Sequence, residues 1–410
     1  MVMETKRILY IAQYYPPAIG AASNRAELLT QGLARKGMDI RVIAEMPNYP
    51  TGKVYKGYHK NRWWFKKERV YPNITVYYVP VFFSNRVSIF GRILNYLTFT
   101  ISATIRSIFI KNIDLIIATS PPPGSVITGW VNKIFRRKKL FLDIRDIISE
   151  IRTVNPNSKF YLHLSKLSDK LILRKGELIL TVTDHLAKDI THFTYKRVVT
   201  LHNTIDCEKL KKNAINVKRD ELEWNGVYSI VYAGNVGLCN GLEYLIDVAK
   251  LFKDDKNFLF NIIGEGSALP KLKKRAENLD NIKFCSPVER NRLLGILGCA
   301  DIVFVTLANG PFMTSAFPTK LLEPLALGKS IIAALPSGKK DERLENIDWV
   351  RFVDNNNPNE CKKEILRIIE ENQNKIDRKS CGEELIQKYF DHKRNVDTLY
   401  KLCEEYIDAT

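Results

Sequence analysis

The chain has 410 residues, 45% apolar and 26% charged, a globular rather than disordered profile. It is too long for one ordinary core, so two domains are expected. The formal net charge of +18 is lopsided: residues 1–200 hold 32 Lys/Arg against 13 Asp/Glu, whereas residues 201–410 hold 31 against 32. The first half therefore suits an anionic partner. Cys207, Cys239, Cys285, Cys299, Cys361, Cys381 and Cys403 all fall in the second half, an odd number with no C-x-x-C pair. That excludes a disulfide framework or zinc pattern and reads as buried thiols of a cytosolic protein. No secretory signal precedes the first strand, so a cytoplasmic location is expected.

In chain order, Arg7–Gln13 predicts a short apolar strand. The loop Tyr14–Ala22 follows, then a helix that Ser23 or Asn24 can cap and Gly37 can end. Asp39–Glu45 is the next strand. From Lys53 to Arg106 come ten basic residues and one acid, Glu68, interleaved with aromatics such as Trp63, Trp64 and Phe90. Within this stretch Leu94, Leu97, Ile101, Ile105 and Ile108 line one helical face, with Asn95, Thr98, Ser102 and Arg106 opposite. So many polar groups argue against a bilayer-spanning helix. Two readings stay open: docking on an anionic leaflet, where each Lys/Arg contributes about 1 kcal/mol, or packing on a sheet. No RRM, KH or helix-turn-helix pattern supports nucleic-acid binding. Strands at Asp114–Thr119 and Leu140–Ile144 flank a helix near Gly124–Arg136, which is βαβ order and hence a parallel sheet. Asp143, Arg145 and Asp146 crowd the end of the latter strand, where Arg145 can bridge the two carboxylates.

The second half repeats the alternation. Strands are expected at Tyr228–Ala233, Phe258–Ile263, Ile282–Cys285, Asp301–Thr306 and Ser330–Leu335, with helices between them and a final helix at about Glu383–Glu405. This gives a first domain at 1–203, a polar linker at 204–226, a second domain at 227–382 and a helical segment at 383–410. Tyr232-Ala-Gly-Asn-Val-Gly-Leu-Cys-Asn-Gly-Leu-Glu243 is a glycine-rich strand-to-helix loop whose N–H groups can cradle a diphosphate. Ile263-Gly-Glu-Gly266 is a second such loop. Phe317-Pro-Thr-Lys-Leu-Leu-Glu-Pro-Leu-Ala-Leu-Gly328 reads as a loop and a short helix. Lys320 there adds a positive charge beside the helix N-terminus, and Glu323 can accept from sugar hydroxyls. No D-x-D motif or His/carboxylate cluster occurs, so no metal is expected.

The last segment resembles the P-[ST]-K-x-x-E-x-[LM]-A-x-G-[KR] signature of nucleotide-sugar glycosyltransferases of family 4. Tyr14-Tyr-Pro-Pro-Ala-Ile-Gly-Ala-Ala-Ser-Asn-Arg25 resembles that family's opening loop, and Arg145-Asp-Ile-Ile-Ser-Glu150 its R-D-x-W-P-E segment. The resemblance covers nearly the whole chain. It implies an α/β fold of GT-B type, two Rossmann-like doubly wound domains facing an inter-domain cleft. It implies a retaining, metal-independent enzyme moving sugar from a UDP-sugar to a lipid-linked (polyprenyl-diphosphate) saccharide in bacterial surface-polysaccharide biosynthesis. Such a protein would sit peripherally on the anionic inner membrane face through residues about 53–110. By the same resemblance Lys320 meets the diphosphate, Glu323 the ribose, Val288 the base, and Asp146 the acceptor side. Gly20, Arg25, Gly234, Asn235, Gly237, Gly264, Gly266, Ser315 and Leu321 complete the donor site. The chain departs from the pattern at Ser315, where the first Glu of E-x7-E is usual, and at Asn235 and Asn240, where Arg and Lys are usual. Those departures keep two alternatives open, a UDP-sugar 2-epimerase of the same fold and a non-catalytic assembly partner.

Overall fold

The computed structural model describes residues 5–18, 20–49, 52–61, 63–83, 89–146, 169–310, 317–336, 340–371 and 378–409. The chain divides into two compact units, Met1–Asn203 with His392–Thr410, and Thr204–Asp391.

In the first unit the strands are β1 (Arg7–Ile11), β2 (Asp39–Glu45), β3 (Lys66–Tyr71), β4 (Ile74–Val79), β5 (Leu115–Ser120), β6 (Lys139–Ile144), β7 (Leu178–Thr181) and β8 (Arg197–Thr200). They form one sheet in the order β3-β4-β2-β1-β5-β6-β7-β8, parallel except for the β3–β4 pair. Helices α1 (Ala21–Arg35), α2 (Ile89–Ile108), α3 (Gly124–Arg136) and α4 (Asp184–Thr191) connect them. β4 and β5 are buried at every residue, as unbroken apolar runs require when both faces are covered. The last helix, His392–Asp408, packs on α1: a Cβ at Gly32 would lie 2.1 Å from Val396 Cγ2, so the close approach requires glycine.

The second unit contains β9 (Tyr228–Ala233), β10 (Phe258–Ile263), β11 (Ile282–Cys285), β12 (Ile302–Thr306), β13 (Ser330–Leu335) and β14 (Val350–Asp354), with α5 (Cys207–Asn213), α6 (Glu243–Lys250), α7 (Leu269–Arg275), α8 (Arg290–Cys299), α9 (Leu322–Ala326), α10 (Pro358–Glu371) and α11 (Arg378–Tyr389). The strand order β11-β10-β9-β12-β13-β14 is the 3-2-1-4-5-6 arrangement of a nucleotide-binding sheet. Its order reverses between β9 and β12, and the carboxyl ends of those strands form the crevice where ligands bind in such sheets.

Three expectations are corrected here, and one open reading of α2 gains a direction. Residues 204–226 are not a linker: Ile205, Leu210, Val217 and Trp224 are buried in the cores of the second unit, because scattered apolar residues without a period still have surface to bury. The C-terminal helix is two helices, broken at buried Phe390, the first in one unit and the second in the other. α1 starts earlier than a Ser23 or Asn24 cap implies. Gly20 is its N-cap at φ 140°, without a side-chain cap bond, and glycine tolerates that backbone. Finally, α2 buries Gly91, Asn95, Phe99, Ala103 and Ser107 and turns its apolar stripe outward.

Candidate donor site

Of the expected donor-site residues, Gly234, Asn235, Gly237, Gly264, Gly266 and Lys320 come together at the reversal point of the second unit, whereas Gly20 and Arg25 belong to the first unit. The loops after β9 and β10 stack backbone on backbone: Gly234 N–H donates to Ile263 O, and Val236 N–H to Glu265 O at 2.8 Å. This contact leaves no room for side chains. A Cβ at Gly264 would fall 1.9 Å from Gly234 O, and one at Gly266 would fall 2.2 Å from Val236 O. Gly264 and Gly234 also adopt φ +151° and +136°, the region that penalises other residues. Gly237 lets Asn235 fold back, since a Cβ there would lie 2.7 Å from Asn235 Nδ2.

Into this floor reaches Lys320, from the β12–β13 connection. Its Nζ donates to Tyr232 Oη at 2.5 Å and to Asn240 Oδ1 at 2.8 Å, and lies 4.5 Å from the Tyr232 ring centroid. Tyr232 Oη donates to Asn235 O at 2.7 Å, and Asn240 Nδ2 donates to the same carbonyl at 2.8 Å. Gly234 is the space Lys320 uses: a Cβ there would meet its Cε at 2.8 Å. Burial pushes the Lys320 pKa down to about 7 and the Tyr232 phenol up. Both hydrogen-bond partners of the amine are neutral, so no group bonded to it offsets the cost of its charge, and an incoming anion would favour the protonated form. Asn240, at a position where the family pattern has a cation, thus fixes the amine rather than adding to its charge.

Lys320 stands in a 3-10 turn, Thr319–Leu321, that leads into a five-residue α9. So short a helix adds little dipole, and the positive charge is chiefly that of Lys320. Pro324 lies in the first turn of α9, where a missing N–H costs nothing. Leu321 is corrected as a ligand contact: its side chain is wholly buried in the core, and its N–H donates to Pro318 O at 3.0 Å. Glu323, one turn beyond Lys320, accepts from Arg290 Nη2 at 2.6 Å. Arg290 opens α8, just after the half-buried Val288. Ser315 lies outside the described residues.

Arg25, expected in the donor site, and Asp146, expected on the acceptor side, belong to the first unit. Arg25 is a correction, because its guanidinium is buried and committed. It pairs with fully buried Asp143 at 2.8 Å and donates to Leu201 O at 2.7 Å. Its donors are therefore spent inside the fold, where they tie α1 to β6 and to Leu201. The expected Arg145 bridge fails for the same reason: Asp143 is taken by Arg25, while Arg145 Nη2 donates to Pro121 O. Asp146 is exposed, yet protein crowding its carboxyl pushes the pKa up, against the pull of Arg145. Residues 147–150 lie outside the described residues.

The sequence reading missed Tyr232 Oη and Arg290. It also missed a buried polar cluster beyond β1 and β2, in which Gln13 Nε2 donates to Glu45 Oε2 at 2.7 Å and to Asn95 Oδ1 at 2.8 Å. Only the strand-end position of Tyr232 signalled its role. A cavity of about 400 Å³ lined by Arg219, Tyr228, Asn257 and Asp301 sits at the opposite, amino-terminal edge of the sheet. Arg219 there is committed to Cys299 O, Val227 O and Asp301, so that cavity is structural. Among the described residues no group of three or more His, Cys, Asp or Glu is placed to hold a metal ion.

Residues 215–387 match the sequence family described as glycosyl transferases group 1. The chain is 23% identical to the uncharacterized glycosyltransferase MJ1069 of Methanocaldococcus jannaschii, over 99% of this chain and 100% of that one. It is 22% identical to WcaI of Escherichia coli (strain K12), a protein named for glycosyl transfer in colanic acid biosynthesis, over 80% of this chain and 82% of that one. Among solved structures, sucrose-phosphate synthase of Thermosynechococcus elongatus superposes with a TM-score of 0.74 at 14% identity, covering 99% and 100% of the two chains. Anabaena Alr3699/HepE, solved in complex with UDP-glucose, does so with a TM-score of 0.68 at 14% identity, covering 97% and 99%. These likenesses establish the GT-B fold. Residues 215–387 are a glycosyl transferases group 1 domain, and the chain that carries them is a glycosyltransferase.

Proposed function

We propose that the protein is a retaining transferase that moves a sugar from a UDP-sugar to a lipid-linked, polyprenyl-diphosphate saccharide in surface-polysaccharide assembly, without a metal. The observation that carries this reading is the Lys320 amine. It is desolvated, held by neutral oxygens, and set among glycine loops at the reversal point of a nucleotide-binding sheet. A diphosphate docked there accepts from Lys320, which also stabilises the charge that develops as the sugar leaves. Glu323, oriented by Arg290, accepts from ribose hydroxyls. Backbone groups near Val288 meet the base, and Asp146 in the first unit faces the acceptor. A lipid-linked acceptor places the work at an anionic membrane face, in keeping with the basic first half of the chain.

The test is transfer. A panel of UDP-sugars is incubated with short polyprenyl-diphosphate saccharides in EDTA, and product and anomeric configuration are read by mass spectrometry and NMR. Acceptor-dependent product with retained configuration is expected. Turnover of a UDP-sugar without acceptor would point instead to an epimerase, and absence of donor binding to a non-catalytic partner.

A further inference from the structure

We infer that the outer face of the α2–α3 pair is a docking surface for an anionic lipid bilayer, with both helices lying in the membrane plane. This deepens the membrane-face reading above by naming the surface, and it stands on observations separate from the donor site.

α2 is amphipathic the wrong way round for a sheet-packed helix. Phe90, Ile93, Leu97, Ile101 and Ile105, with Phe109 just past its end, recur at three- and four-residue steps and are 49–75% exposed. Beside them α3 exposes Ile127, Ile134 and Phe135. Around the buried Phe99, the contact between the two helices includes many small and polar groups. A Cβ at Gly124 would fall 2.4 Å from Thr100 Oγ1. Thr104 Oγ1 lies 3.1 Å from Thr128 Oγ1, and Asn132 Nδ2 donates to Ser107 Oγ at 2.7 Å. Asn95 anchors the inner face of α2 to Gln13 and to Phe82 O. An inner contact rich in small and polar residues beneath a continuous apolar outer stripe is how helices pack where the surroundings are lipid. A helix facing water has the reverse pattern.

Three further observations select lipid over a protein partner. The segment 89–139 carries eight Lys/Arg and one acid, Asp114, with Arg92, Lys111 and Arg137 exposed. An anionic leaflet complements that charge. The apolar surface continues through exposed Phe82, which abuts α2, and Trp63, whose ring lies tilted against Phe83 with centroids 5.6 Å apart. Aromatic rings of this kind favour the membrane interface. No helix among the described residues is long and apolar enough to cross a bilayer, so the stripe suits lying on the surface rather than spanning it.

The test is flotation with vesicles of phosphatidylglycerol and phosphatidylcholine that contain no acceptor, so it is independent of transfer. Wild-type protein is expected to float with phosphatidylglycerol vesicles at low salt. The variant carrying Ile93→Glu, Leu97→Glu and Ile101→Glu should lose at least about tenfold in partitioning, because each change removes apolar area from the contact. Its melting temperature and its stabilisation by UDP-sugar should stay unchanged, since the three side chains are exposed. Arg92→Glu should lose binding only to the anionic vesicles. Equal flotation of the triple variant would overturn the inference. So would a wild-type dimer that the triple variant abolishes while neither protein floats, since the occupant would then be a second copy. Docking that holds while transfer fails would contradict the proposed reaction and leave the surface standing.

Discussion

Replacing Lys320 by Met removes the charge that meets the donor diphosphate in the proposed reaction. Burial pushes that amine from the ordinary lysine value of 10.5 down to about 7. The unliganded site is therefore about half charged near neutrality. A bound diphosphate restores the charge and raises the pKa again. Above pH 7 each donor must therefore bring a proton with it, and the dissociation constant should rise about tenfold per pH unit. A UDP-sugar's diphosphate loses no proton over that range, so the slope belongs to the protein. A hydrogen bond to a charged group contributes about 1.5–3 kcal/mol, so the Met variant should bind about tenfold to 150-fold more weakly at pH 6.5. Its affinity should not change between pH 6.5 and 9. Lys320→Arg stays charged and should also lose the slope. Stability moves the other way. The unfolded chain binds more protons than the folded one between about pH 7 and 10.5, so the wild type gains stability as pH rises through that window, a gain the Met variant lacks. Isothermal titration calorimetry and pH-dependent melting read both effects. Equal affinity of wild type and Met variant, or a wild-type affinity flat with pH, would refute the reasoning.

Glu323→Gln should raise the donor KM about tenfold or more and spare melting temperature, as read by steady-state transfer; full transfer by that variant would exclude ribose recognition there. Arg290→Ala removes a half-exposed partner and should cost under about 1 kcal/mol of stability while raising the donor KM, with rescue by Arg290→Lys incomplete because an ammonium does not reproduce the rigid guanidinium that holds Glu323. Arg25→Met strands the buried Asp143 carboxylate and should destabilise the first unit by about 3–5 kcal/mol in denaturant unfolding; a folded variant with only a raised KM would return Arg25 to the binding site. Gly264→Ala sets a Cβ 1.9 Å from Gly234 O and should sharply lower both melting temperature and donor affinity.

The second unit was legible because its signals are local. β9, β10, β11 and β13 run between the residues that the apolar runs mark, and the glycines after them need no distant partner to be read as close approaches. The first unit was less so. The β3 sequence, Lys66-Lys-Glu-Arg-Val-Tyr71, is mostly charged and alternates half-buried and exposed residues as an edge strand does, without an apolar run to flag it. Arg25 looked like a loop cation because its partner, Asp143, lies 118 residues away. The stripe on α2 was visible as a pattern, but its direction was not. A helical period tells which residues share a face, and only the hydrogen bonds of Asn95, Thr104 and Ser107 decide which face turns inward.

The central claim is that a UDP-sugar binds at Lys320 without a metal. Its most direct test is thermal stabilisation of wild type and the Lys320→Met variant by UDP-, GDP-, dTDP- and ADP-sugars in EDTA. At one hundred times its dissociation constant a ligand adds about 2.7 kcal/mol to a two-state fold. The account predicts that shift for a UDP-sugar with the wild type and its loss in the Met variant. No shift with any donor, or the same shift in both proteins, would contradict it.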